Sequence, residues 1–180
     1  MRRLELLLAL LLGVGGCKPA TARPYFPPVT GAAKAEVELV QKNATTALAD
    51  VLRSDSLPLV RVVEQDGYIE TAWFDAGTKQ VAHGRHLGPD VVQIRAWIDP
   101  TRLGYSKMTV ETVYRPLADA SLSPRELDRQ VPPDHPVGKR MLEIVTELAR
   151  LYNPEPTRPG APAEPGQPTA PKIPPKITVP

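Results

Sequence analysis

Residues 59–75 read LVRVVEQDGYIETAWFD. Leu59 to Glu64 is rich in β-branched side chains, which suit a pleated, half-buried surface. Gln65-Asp66-Gly67 follows, and Asp-Gly is a strong hairpin signal because such turns need backbone at positive φ. Tyr68 to Asp75 then returns as a second strand, with Ile69, Thr71 and Trp73 on one side and Tyr68, Ala72 and Phe74 on the other. A hairpin of this kind needs further strands at its edges and a cover for its apolar face.

The flanking sequence supplies both. Upstream, Ala35, Val37 and Leu39 alternate with Glu36 and Glu38, the period of a half-buried strand. Asn43 is placed to cap a helix whose apolar positions Ala44, Ala47, Leu48, Val51 and Leu52 fall on one face, ending at Asp55-Ser56-Leu57-Pro58. A single longer helix from Ala32 fits the same spacing, since Val37 and Val40 also follow it. Downstream, a loop holding Gly77, Gly84, Gly88 and Pro89 leads to Val91–Ile98, which sets Val92, Ile94, Ala96 and Ile98 on one face and Gln93, Arg95 and Trp97 on the other. After Asp99-Pro100 and Gly104, Ser106–Arg115 is the last strand. Leu117 to Pro133 reads as loop, with room for a helical turn at Pro124–Arg129. Asp134 and Pro136 then open a final helix with the stripe Val137, Met141, Ile144, Val145, Leu148 and Leu151. The order β-α-β-β-β-β-α predicts an α+β domain over 35–152, with an antiparallel five-stranded sheet and two helices on one face.

The ends of the chain differ in composition from this middle. Met1–Cys17 carries Arg2 and Arg3, an aliphatic run from Leu4 to Val14, then Gly15-Gly16 before the single cysteine. That run is shorter than the roughly 20 apolar residues needed to span a bilayer, and the order matches an export signal. Of 22 prolines, Pro19, Pro24, Pro27 and Pro28 mark residues 17–34 as a flexible tether. In the tail, residues 153–180, Pro156, Pro159, Pro162, Pro165, Pro168, Pro171 and Pro174 recur every three residues, the period of a polyproline II helix. Extended, that tail would reach about 80 Å as a spacer; Lys172-Ile173 and Lys176-Ile177-Thr178-Val179 also suit docking in a groove or on a sheet edge.

Val14-Gly15-Gly16-Cys17 resembles the lipobox of bacterial lipoproteins position by position. The resemblance implies residues 1–16 as signal peptide, cleavage after Gly16, and diacylglycerol and N-acyl chains on Cys17. Two or more acyl chains make anchoring effectively permanent. Lys18, where the class carries Asp for inner-membrane retention, points to the outer membrane and its periplasmic face. Ala20-Thr21-Ala22 offers a competing small-x-small site whose use would release a soluble protein instead.

Gly67-Tyr68-Ile69-Glu70-Thr71-Ala72-Trp73-Phe74, followed by the Arg95-Ala96-Trp97 strand and a closing helix, is similar to the repeat domain of BamC (NlpB)-like outer-membrane lipoproteins. The resemblance covers residues 35–152 as one such domain. It implies a helix-grip fold and a non-catalytic accessory or scaffold role in cell-envelope and outer-membrane protein assembly, with the membrane, other envelope proteins and the barrel-assembly machinery as partners.

Composition narrows the alternatives. A net charge of +2 with interspersed signs argues against a nucleic-acid partner. With its one thiol taken by lipid, the chain has no disulfide and no thiolate metal site. His83 and His86 with Asp75 or Asp90 could be imagined around zinc, but a glycine-rich loop fixes no geometry, so neither metal nor cofactor is expected. Asp128, Asp134 and His135 form a weak acid–base set beside the simpler capping role of Asp134. Tyr68, Trp73 and Trp97 are either sheet packing or the anchors of an exposed binding face. A carrier gripping an apolar ligand between the sheet and the last helix is the second functional reading, and a small hydrolase using the His83–Asp90 loop the third.

Overall fold

The computed structural model describes residues 21, 23–84 and 86–153. Its elements are β1 (Ala33–Val37), α1 (Gln41–Ser54), β2 (Leu59–Val63), β3 (Tyr68–Thr71), β4 (Phe74–Asp75), β5 (Gly88–Pro100), β6 (Ser106–Arg115), α2 (Pro124–Leu127), β7 (Arg129–Gln130) and α3 (Pro136–Tyr152). The architecture is α+β. One antiparallel sheet runs β1-β6-β5-β3-β2, with β4 added to β5 and β7 to β6. The expected five strands thus become a seven-stranded sheet, because the two-residue strands β4 and β7 lie off the main path.

The helices cover one face for the reason their stripes predict. Ala44, Leu48, Ala49 and Leu52 of α1 and Val137, Met141, Ile144, Val145 and Leu148 of α3 share one core with Ile69, Ile94, Ala96, Ile98, Met108 and Val110 of the sheet. Neither long helix has the cap expected of it. The chain enters α1 at Val40 and α3 at His135, both in extended conformation and without a side-chain cap bond. Asn43 lies inside α1, and Asp134 precedes the cap of α3. At α3, Pro136 has no N–H to satisfy, and at α1 the Gln41 side-chain amide ties the start of the helix to the sheet by donating to the Ile98 carbonyl at 2.9 Å. The short helix α2 carries the reciprocal cap instead, with Ser123 and Glu126 each accepting from the other's backbone N–H.

The strand expected over 68–75 is broken in two. The Thr71 hydroxyl stands in for a backbone partner, accepting from the Ile94 N–H at 2.9 Å, while the Ala72 N–H donates to the Pro58 carbonyl. Pairing with β5 resumes only at Phe74↔Val92. This break shifts the side-chain phase by one. Phe74 joins Ile69 in the core, and Trp73 is turned outward, the reverse of the expected alternation.

The second departure concerns residues 23–32, expected as flexible tether. They form a strap across the sheet face opposite the helices. Arg23 donates to Asp99 Oδ1 at 2.9 Å and to the Asp66 carbonyl at 3.3 Å, Phe26 lies edge-on to Trp97, and the Val29 N–H donates to Glu111 Oε2 at 2.7 Å. β1 then begins at Ala33, within the stretch read as tether.

Candidate functional site

The face under the strap follows from the pairing register. Tyr68 of β3 stands opposite Trp97 of β5, Glu70 opposite Arg95, and Arg95 opposite Glu111 of β6. Because side chains alternate, the β5 positions whose neighbours build the apolar core leave Gln93, Arg95 and Trp97 on this second face. Arg95 and Glu111 are buried, at 5% and 0% exposure.

Charges at that depth require partners, and the network provides them. Arg95 Nη1 donates to Glu111 Oε1 and to Asp128 Oδ2, both at 2.9 Å, and its Nη2 donates to the Gln93 side-chain carbonyl. Arg125 donates to both Glu111 oxygens at 2.8 and 3.1 Å, and to the Pro27 carbonyl of the strap. Arg115 Nε donates to Asp128 Oδ1 at 2.8 Å. Glu70 lies 3.7 Å from Arg95 Nε and 3.5 Å from Arg61. Burial opposes the charge on Arg95; Asp128 and Glu111 more than offset it, so the guanidinium is held above its ordinary value.

Aromatic rings extend this layer. The Phe26 ring faces the guanidiniums of Arg125 and Arg95, 4.4 and 5.3 Å from its centroid, and meets Trp97 edge-on at 6.2 Å. Trp97 in turn meets Tyr68 at 5.6 Å. The Tyr68 hydroxyl is buried with no hydrogen-bond partner among the described residues, and burial, with Glu70 nearby, pushes the phenol well above its usual range.

Tyr68, Trp73 and Trp97, read as either sheet packing or the anchors of a binding face, are not all together. Tyr68 and Trp97 meet, but at 0% and 2% exposure they are roofed by the strap. Trp73 sits apart, stacked at 5.5 Å on His86, with the Arg115 guanidinium 4.6 Å from its ring. Its role is to pin the 76–87 loop: the Trp73 carbonyl accepts from the Ala82 N–H, and His86 Nε2 lies 3.2 Å from the Ala82 carbonyl.

The other candidate sets do not converge. The Asp75 carboxylate is taken up by the Gly77 and Thr78 N–H groups and the Thr78 hydroxyl, which hold it below the usual carboxylate range. No group of three or more His, Cys, Asp or Glu side chains among the described residues could hold a metal. Asp128 belongs to the arginine network, Asp134 is exposed, and His135 lies against the Pro89 carbonyl at 3.0 Å. Cys17, Gly16 and the proline tail from Pro154 lie outside the described residues.

The residues missed in the sequence are Phe26, Glu111, Arg115 and Arg125; Asp128 was singled out, but for an acid–base set rather than for the arginine network it joins. Arg95 on the non-helix side of β5 was the available signal. Its partners lie 16 and 33 positions away, beyond any local pattern. On the helix side, a groove of about 330 Å³ opens between the sheet and α3, walled by Ala33, Val110, Val131, Met141 and Leu142. Compared with protein-family models and with curated proteins, the chain has no match in either.

Proposed function

We propose that this chain is a lipoprotein anchored through Cys17 in the outer membrane and facing the periplasm, where it serves as a non-catalytic accessory or scaffold in envelope assembly. In this reading the sheet with α1 and α3 is a helix-grip domain of the BamC-like type. One observation carries it: the lipobox Val14–Cys17 ends six residues before Arg23, where the chain is already fastened to Asp99 at 2.9 Å. An acylated Cys17 would hold a folded body close to the bilayer rather than at the end of a long leash, as suits a module that presents a surface to membrane-embedded partners. Photo-crosslinking in cells from exposed positions on α3, such as Leu142, tests the role. Capture of envelope-assembly proteins is expected; capture of none of them, with the domain folded and acylated, would remove the scaffold reading.

The groove beside α3 favours a second reading, a carrier of an apolar ligand, since its walls are mostly aliphatic. Mass spectrometry of the gently extracted protein tests it, and an absence of bound lipid counts against it.

A further inference from the structure

The strap leaves the sheet at one end. Arg23 is held by Asp99 and by the Asp66 carbonyl, beside the β2–β3 turn and the β5–β6 hairpin. From there the chain runs inward past Trp97 to Glu111 before turning into β1. Arg23, the first residue of the strap, is therefore fastened at the hairpin end. The six-residue step to Cys17 spans at most about 20 Å when fully extended.

Exposed large apolar side chains lie at both ends of the sheet, with Leu117 and Leu122 at 51% and 39% beyond the far end of β6, but the two most exposed among the described residues are on the hairpin side. Leu103 at the hairpin tip is 100% exposed and Tyr25 of the strap 90%. Val40, leading into α1, and Leu151, in the last turn of α3, are also exposed there. Single exposed aliphatic residues need no explanation, but these sit where the chain leads to its acylation site. Two carboxylates flanking the hairpin are paired: Glu36 lies 3.3 Å from Arg102, and Asp99 is held by Arg23. Arg102 also lies over the Tyr105 ring at 3.8 Å, so the tip presents an aliphatic side chain beside a cation and an aromatic ring. Bilayer interfaces take up that combination, apolar atoms in the acyl boundary and basic groups among the headgroups.

We propose that the β5–β6 hairpin tip, led by Leu103, docks into the surface of the phospholipid bilayer that holds the anchor, and so fixes the orientation of the domain on the membrane. The inference rests on acylation of Cys17. The lipid chains prevent escape; the hairpin contact determines which end faces the bilayer.

The test uses the full-length acylated protein in phospholipid vesicles, with a single free thiol introduced as Thr101→Cys beside the tip or Ala120→Cys, exposed beyond the opposite end of β6. Each is labelled with an environment-sensitive fluorophore and quenched by brominated lipid. At least threefold stronger quenching is expected at 101 than at 120, falling by half or more when Leu103→Asp is added to the Thr101→Cys protein. Equal quenching at the two sites, or no effect of Leu103→Asp, overturns the proposal. Intact mass of the same sample separates the two readings. Acylated protein with equal quenching removes the hairpin contact alone, whereas a mature chain without acyl groups removes both.

Discussion

Glu111 accepts hydrogen bonds from Arg95, twice from Arg125, and from the Val29 N–H, and its side chain is fully buried. Such a carboxylate contributes little net stability as an ion pair, because desolvation consumes most of the Coulomb gain; removing it leaves guanidiniums uncompensated in a dry site. Glu111→Gln is therefore expected to destabilise the domain by about 3–5 kcal/mol, read from urea unfolding. Adding Arg95→Met should cost less than the sum of the two single changes, since the second substitution removes the charge stranded by the first. Gly67 makes a different demand. At φ +61°, a Cβ there would stand 2.2 Å from the Ile98 carbonyl oxygen and 2.5 Å from Gln41 Nε2. The Gly67 carbonyl also accepts from the Ile98 N–H at 2.8 Å, so the turn cannot move aside without losing a ladder bond. Gly67→Ala is expected to lower stability by more than about 2 kcal/mol; a loss under half that by the same measurement would mean that the turn relaxes freely.

Between elements, the two long helices are joined at the surface by Arg140, which grips Asp55 at the end of α1 with bonds of 2.7 and 2.9 Å. The Arg140 guanidinium holds the Asp55 carboxyl below its ordinary 3.8. A carboxylate with a depressed folded value contributes stability that is present above the unfolded value and lost as pH falls through the folded one. Arg140→Ala should therefore cost about 0.5–1 kcal/mol near neutral pH, and the difference from the parent should vanish on acidification below that window in pH-dependent urea unfolding. Element existence was legible wherever one residue pattern meets one surface: the stripe of α1, that of α3 as far as Leu148 but not the exposed Leu151, the limits Ser106 and Arg115 of β6, and the Asp66-Gly67 turn all follow from local periodicity. Asn43 and Asp134 misled because a capping residue is only an option. Pro136, lacking a donor, removes part of that need at α3, and Gln41 fixes the start of α1 by reaching Ile98 rather than by capping. Trp73 and Phe74 exchanged sides because the Thr71 hydroxyl took over a ladder position, a tertiary event invisible to a period-two count. Arg95 was placed on the correct face, yet Glu111 and Asp128 reach it only through folding.

At the scale of the molecule, the strap decides how the body is held. The sheet has two buried faces of unlike character, an aliphatic one under the helices and an ionic and aromatic one under residues 23–30. Proline content made this segment read as linker, whereas its prolines pre-set an extended path along which Phe26 and Val29 can reach the sheet. α3 ends beside β1 on the hairpin side, where the Tyr152 carbonyl accepts from the Glu38 N–H and the Asn153 side chain donates to the Glu36 carbonyl. Everything in that arrangement presumes that the strap belongs to the fold. Soluble chains beginning at residue 21 and at residue 31 separate the possibilities. Without the strap, Trp97 loses the Phe26 ring, Glu111 loses the Val29 N–H, and Arg125 loses the Pro27 carbonyl. The shorter chain should therefore be less stable by about 2–4 kcal/mol, with tryptophan emission shifted to the red. Equal stability and unchanged emission would return residues 23–30 to the status of a tether, and the short link proposed between a lipidated Cys17 and the domain would fall with it.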